Sequence, residues 1–176
     1  SQIVDAIHTS LQISPSAEIT FEANPDDINK NYVNQLKSLG INRISLGVQT
    51  FDDDRLHFLR RRHTAKEAAK AVETTSSIIE NISLDLIYGL PRETLVEWEK
   101  DIRIALQLPI KHLSSYALTI EKGTPLFQLR QKQIVKELNE ETTRAMYKIL
   151  MRQTELAGMQ HYEISNFSYP DRKSVV

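Results

Sequence analysis

Polar residues able to hold a ligand stand in this chain where its hydrophobic runs stop. Gln49 closes the run Arg43 to Val48, within Gly47-Val48-Gln49-Thr50-Phe51. Asp85 interrupts the run Ile82 to Ile87 and is followed by Tyr88-Gly89-Leu90-Pro91. In a parallel βα protein, the carboxyl ends of the strands are where ligands are bound. Glu22 and Asn24 occupy the same position after Glu18 to Phe21. Tyr116 and Ala117 do so on the run His112 to Leu118, and Arg61 lies in the loop beyond the second run. If the runs are neighbours, one mouth receives two carboxylates, two amides and a guanidinium. That set suits a small zwitterionic ligand bearing hydroxyls. Carboxylates accept from a diol or an ammonium, and an arginine clasps a carboxylate through its fork. Backbone beside Gly89 can approach a flat ring, since glycine adds no side chain.

Plainer readings exist for each residue. Glu22, just before Asn24-Pro25, is placed to cap a helix opening at Asp26. Arg61 sits between Arg60 and Arg62, and charge runs are usually solvated faces. For Asp85 the plainer reading is a cap on the next helix, yet it and Gln49 are harder to explain this way, since each belongs to an apolar strand. His8 and His57 fall on helical patterns and read as surface residues. His63, His112 and His161 fall near strand ends, but no pair has metal-ligand spacing, so no metal site is expected among them. Trp98, at helical spacing, reads as core.

The elements that must position these residues alternate regularly. A helix at about 2–12 precedes a strand at 18–22, and a second helix carries Tyr32, Val33, Leu36 and Leu39 up to Gly40. The second strand, Arg43 to Val48, leads to a short helix near Asp53 to Leu59. A longer helix starts at Thr64, where Thr64-Ala65-Lys66-Glu67 has the form of a capping box. The third strand is Ile82 to Ile87, and a helix at about 93–107 follows it. The fourth strand is His112 to Leu118, and Lys122-Gly123-Thr124-Pro125 reads as a loop. A long helix at about 139–157 ends at Gly158, before a fifth strand at His161 to Ile164. Such alternation implies right-handed crossovers and an α/β fold with a parallel sheet, either a barrel or an open doubly wound sheet. No Gly-x-Gly-x-x-Gly or Walker loop follows a strand, which argues against those modes of nucleotide binding.

The bulk composition excludes several classes. With 176 residues, 26% charged and a formal net charge of −1, the chain lacks the basic excess that attracts nucleic acid or anionic lipid. No apolar run approaches the ~20 residues that span a bilayer. With no cysteine, a thiolate-held zinc or iron–sulfur cluster has no ligands within this stretch. Opening at Ser1 directly into a helical pattern, the chain reads as a fragment.

Taken in order, Glu22-Ala23-Asn24-Pro25, Ile41 to Phe51, Arg61-x-His63, Asp85 to Pro91 and Tyr162 to Phe167 resemble the coproporphyrinogen-oxidase-like radical S-adenosylmethionine (SAM) proteins. The resemblance covers nearly the whole chain. Within that family, His112 to Leu126 and Tyr162 to Phe167 are similar to the haem-chaperone branch. The alternative branch is the oxygen-independent coproporphyrinogen III dehydrogenase, which converts coproporphyrinogen III to protoporphyrinogen IX.

The resemblance implies a partial (β/α) radical-SAM barrel of the TIM type, with residues 1–176 covering roughly strands three to six, then a helix and a strand. The loop carrying a Cys-x-x-x-Cys-x-x-Cys motif for a [4Fe–4S] cluster, and a carboxyl-terminal domain, would lie outside it. Glu22, Gln49, Arg61 and Asp85 match family positions that contact SAM, and Ala117 matches a backbone contact. None of these has a catalytic or metal-binding role by that match. The resemblance also implies a cytoplasmic protein that binds haem and passes it to an acceptor protein, touching a membrane only through that acceptor. The identity of the haem ligand stays open among His63, His112, His161 and residues elsewhere. At its end the chain departs from the family's Ser-x-His-Asn pattern, reading Ser174-Val175-Val176. Two other classes are weighed: an aldolase or isomerase with Asp85 or Glu22 as base, disfavoured by the lack of a strand-end lysine and phosphate-binding glycines, and a pure haem-binding module.

Overall fold

The computed structural model describes residues 2–170, without the side chains of Asp5 and His8. The departure at residues 174–176 lies outside the described residues. Helix α1 (Gln2–Ser10) precedes strand β1 (Thr20–Ala23) and a 3-10 turn (Pro25–Asp27). Helix α2 (Lys30–Ser38) is capped by Asn29, and β2 (Arg43–Gln49) follows. Next come α3 (Asp53–Phe58), capped by Asp52, and α4 (Ala65–Ser76), which opens with the expected Thr64–Glu67 capping box. Strand β3 (Asn81–Tyr88), α5 (Leu95–Gln107) and β4 (His112–Ala117) complete the repeat, with a second capping box at Thr94 and Glu97. Strands β1 to β4 lie side by side in chain order, each parallel to the next. The fold is therefore a run of βα units forming part of a TIM-type barrel.

Beyond β4 the pattern changes in two ways. The loop expected at Lys122-Gly123-Thr124-Pro125 runs straight into a further helix, α6 (Pro125–Gln131), because Thr124 caps it and Pro125 takes its first position. Those residues serve a turn equally well, so composition hides the helix. After α7 (Glu140–Leu156), the strand expected near Tyr162 forms as β5 (Gln160–Glu163) but does not extend the parallel sheet. It turns back into β6 (Asn166–Ser168), and β6 pairs antiparallel with both β5 and β4. Two linking residues, Ile164 and Ser165, can join only antiparallel neighbours.

The sheet has two unlike faces. Strand residues alternate between them, and Ile44, Leu46, Ile82, Leu84, Leu86 and Leu113 are fully buried on the face the helices cover. Glu22, Arg43, Ser45, Asp85, His112 and Ser114 share the parity of the other face. Parallel sheets are usually apolar on both sides. Here one side is built to meet something polar. The helix layer is pinned by Trp98, whose Nε1 donates to the Met146 carbonyl at 3.0 Å and whose ring lies 5.2 Å from that of Tyr88. Trp98→Ala should destabilise the fold by about 3–5 kcal/mol, since it opens a cavity in the core. Urea unfolding followed by circular dichroism measures the loss.

Candidate functional site

The bend at the end of β2 organises the strand-end cluster. Gly47 pairs with Asp85 and Gln49 with Leu86, so Val48 is an extra residue and the strand bulges. Gln49 consequently adopts φ 74°, a left-handed conformation uncommon for a residue with a side chain. The bulge turns the Gln49 carboxamide back over Gly47. A methyl group added at Gly47 would lie 2.8 Å from Gln49 Nε2, 3.9 Å from Arg61 Nη2 and 4.0 Å from Asn24 Oδ1. Three ligand-competent side chains thus surround one bare patch of backbone.

Arg61 does not belong to a solvated run. Its Nη1 donates to Asn24 Oδ1 at 3.0 Å, while Arg62 turns away to pair with Asp26 and Asp27. Asn24 makes no side-chain cap to the 3-10 turn, and the cap proper to that turn is not Glu22. Glu22 instead sits opposite Ser45 in register, on the polar face.

Asp85 is held from both neighbouring strands. Ser45 Oγ on β2 donates to its two oxygens at 3.2 and 3.1 Å, and Ser114 on β4 hydrogen-bonds to it as well. Burial pushes the Asp85 carboxyl above the usual carboxylate range. The two serines oppose that rise, and the nearby Glu22 charge adds to it. Ala117 closes β4 opposite Tyr88, and the Leu118 amide donates to the Tyr88 carbonyl at 2.8 Å. Gln49, Arg61, Asp85 and Glu22 therefore share the carboxyl end of the sheet, with Ala117 on its far strand. A cavity of about 830 Å³ between α3, Leu90-Pro91 and residues 133–138 lies apart from this cluster.

Three supporting residues escape the motif reading. Ser45 and Ser114 look like ordinary strand serines, and only their register with Asp85 reveals them. Glu93 is the third. Its Oε2 accepts from the Gly89 and Leu90 amides at 2.7 and 3.0 Å, which clamps the turn after β3, where Gly89 has φ 79°. A glutamate beside a helix start suggests solvent, yet this one is buried.

The histidines bond within the fold. His112 begins β4, at the end of the sheet away from the cluster. Its Nδ1 bonds to Ser83 Oγ at 2.8 Å and its Nε2 to the Tyr162 hydroxyl at 2.7 Å. His63 is buried, with Nε2 3.2 Å from the Val48 carbonyl. His161 stacks on Phe167 and bonds through Nε2 to Tyr147 and Ile164. Among the described residues, no group of histidines and carboxylates is arranged to hold a metal ion. No helix of the described chain is long and apolar enough to cross a membrane.

A parallel run of βα units, with Glu22, Gln49, Arg61 and Asp85 toward the carboxyl ends of its strands, defines a TIM-type α/β barrel class. The particular family follows from the sequence. Residues 2–105 match the Radical SAM superfamily, and the chain belongs to it. It is 41% identical over 169 residues to the heme chaperone HemW of Bacillus subtilis, covering 95% of this chain and 45% of that protein. It is 33% identical to HemW of Lactococcus lactis, covering 98% of this chain and 46% of that one. The chain thus spans about half the length of the curated relatives it matches. The structure of coproporphyrinogen III oxidase (HemN) from Escherichia coli, a radical SAM enzyme, superposes with a TM-score of 0.83 over 97% of this chain and 39% of that one. At 21% identity that likeness concerns the fold.

Two buried groups give the fold opposing responses to pH. Burial pushes Glu93 up to about 7 from 4.5, so its share of stability is complete below 4.5 and lost as pH rises through 7. Burial, followed by the Arg43 charge, pushes His112 down to about 4 from 6.5, so its share is complete above 6.5 and lost as pH falls through 4. Glu93→Gln keeps an acceptor for the two amides without the titration. Relative to the parent, its urea midpoint should rise steadily between pH 4.5 and 7. A pH-independent difference would show that the Glu93 proton is not linked to folding.

Proposed function

We propose that this chain is part of the radical SAM core of a longer cytoplasmic protein that binds haem and delivers it to an acceptor protein. Glu22, Gln49, Arg61 and Asp85, with the Ala117 backbone, form its SAM site. The observation that carries this reading is the gathering of Gln49, Arg61 and Asn24 around Gly47, one strand from Asp85. The donor set fits SAM. A guanidinium suits the methionyl carboxylate, carboxylates and amides suit the ammonium and ribose hydroxyls, and a side-chain-free backbone suits a close approach. Within this assignment Arg61, oriented by Asn24, binds and aligns the carboxylate, and Asp85, aimed by Ser45 and Ser114, accepts from a donor on the ligand.

A [4Fe–4S] cluster ligated by thiolates would supply the electron for reductive cleavage of SAM, and this chain, which has no cysteine, offers no thiolate to hold it. Haem is the cargo. As it stands, His112 does not fit an axial-ligand role, since both its ring nitrogens are engaged within the fold. The chaperone reading, rather than decarboxylation of coproporphyrinogen, is supported by the 41% and 33% identity to proteins named as heme chaperones.

Two measurements on the anaerobically reconstituted full-length protein test these points. Asp85→Ala should weaken SAM binding by roughly 1–3 kcal/mol in calorimetry, the range for a lost hydrogen bond to a charged group. Unchanged affinity removes Asp85 from the site. Incubation with coproporphyrinogen III should leave it largely intact, whereas haem should bind and pass to apo-acceptor. Robust formation of protoporphyrinogen IX would replace the chaperone reading with that of the dehydrogenase.

A further inference from the structure

Gln49 is held in a strained conformation, and something must hold it there. A left-handed residue with a side chain persists only where its surroundings outweigh the preference for ordinary backbone. On one side the bulge against β3 restrains it. On the other side its chain neighbour Thr50, fully buried, donates from Oγ1 to Oδ2 of Asp101 at 2.5 Å. The same hydroxyl accepts from the Asp52 amide at 3.2 Å, and the Phe51 amide also bonds to the Asp101 carboxylate. Asp101 comes from a different βα unit, on the core-facing side of α5 between Trp98 and Ile102. Carboxylates are expensive to bury, and helix packing alone would be served better by an apolar residue there.

We propose that Thr50 and Asp101 form a clasp that positions Gln49, so that the ligand competence of the β2 end depends on a helix in the next unit. Neither residue reaches the polar face, and both act only through Gln49. With the clasp open, residues 49–51 relax towards extended backbone and the carboxamide leaves Gly47. This inference rests on the reading of Gln49 as a SAM contact, but the clasp itself is a property of the ligand-free fold.

The test is a double-mutant cycle in the full-length protein, with SAM affinity read by calorimetry. Thr50→Val, nearly isosteric, should weaken SAM about tenfold, the loss of one charged hydrogen bond, and Thr50→Ser should restore it. In a Gln49→Ala background, Thr50→Val should cost nothing further, because the residue it positions is gone. Equal losses in both backgrounds overturn the clasp. Asp101→Asn, which weakens the acceptor without changing volume, runs through the same cycle and serves if Thr50→Val does not fold. The ligand-free readout is the carbon-13 shift pair of Gln49 Cα and Cβ. These should leave the left-handed range in Thr50→Val and stay within it in Thr50→Ser. An unmoved pair in Thr50→Val overturns the proposal. Unchanged SAM affinity in Gln49→Ala alone would instead overturn the SAM assignment of Gln49, and the shifts then decide the clasp.

Discussion

Everything at the strand ends depends on a sheet with one apolar and one polar face. The apolar face, with Ile44, Leu46, Ile82, Leu84 and Leu86 fully buried, is what helices α2, α4, α5 and α7 pack against, and it supplies the dominant favourable term in folding. The polar face gains no such stabilisation. Arg43, Ser83, Asp85 and His112 are tolerated because each finds a partner on an adjacent strand or element: Glu18 for Arg43, His112 for Ser83, Ser45 for Asp85 and Tyr162 for His112. A hydrophobic layer on one side thus lets the other carry chemistry.

The strain and the buried acids belong together. Gln49 departs from ordinary strand geometry, and the loops just beyond β2 and β3 are tied down by Asp101 and Glu93, two carboxylates that burial pushes upward in pKa. Each accepts backbone amides from a strand-to-helix turn. Arg55 ties the same regions together from a third direction, pairing with Asp52 at the start of α3 and Glu97 at the start of α5. These groups brace a rigid rim from behind. Under the proposed SAM assignment, bracing there would serve binding, because a preorganised site does not have to order its side chains when ligand arrives.

The antiparallel hairpin gives the far edge a different character. Strands β5 and β6 fold onto β4 and are joined to the amino end of the sheet through Tyr162 and His112. The parallel repeat ends at β4 in the described residues. His112 is a structural residue here, neutral and engaged at both ring nitrogens, at the opposite end from the cluster.

The order of the elements, the parallel pairing of the first four strands and the positions of Glu22, Gln49, Arg61, Asp85 and Ala117 at or near strand ends were legible in the sequence. Apolar periodicity and capping boxes are local signals, written within a few residues of the elements they specify, and strand ends are marked by where apolar runs stop. Helix α6 was not legible, because Thr124-Pro125 opens a helix and a turn with the same residues. The return strand β6 was not either, since three residues carry too little periodicity to register. Tertiary structure alone decided which side chains meet. Ser45 and Ser114 serve Asp85 because β2 and β4 flank β3, and Asp101 reaches Thr50 across 51 positions of chain. Such pairings are set by strand register and crossover geometry, and a linear pattern carries neither.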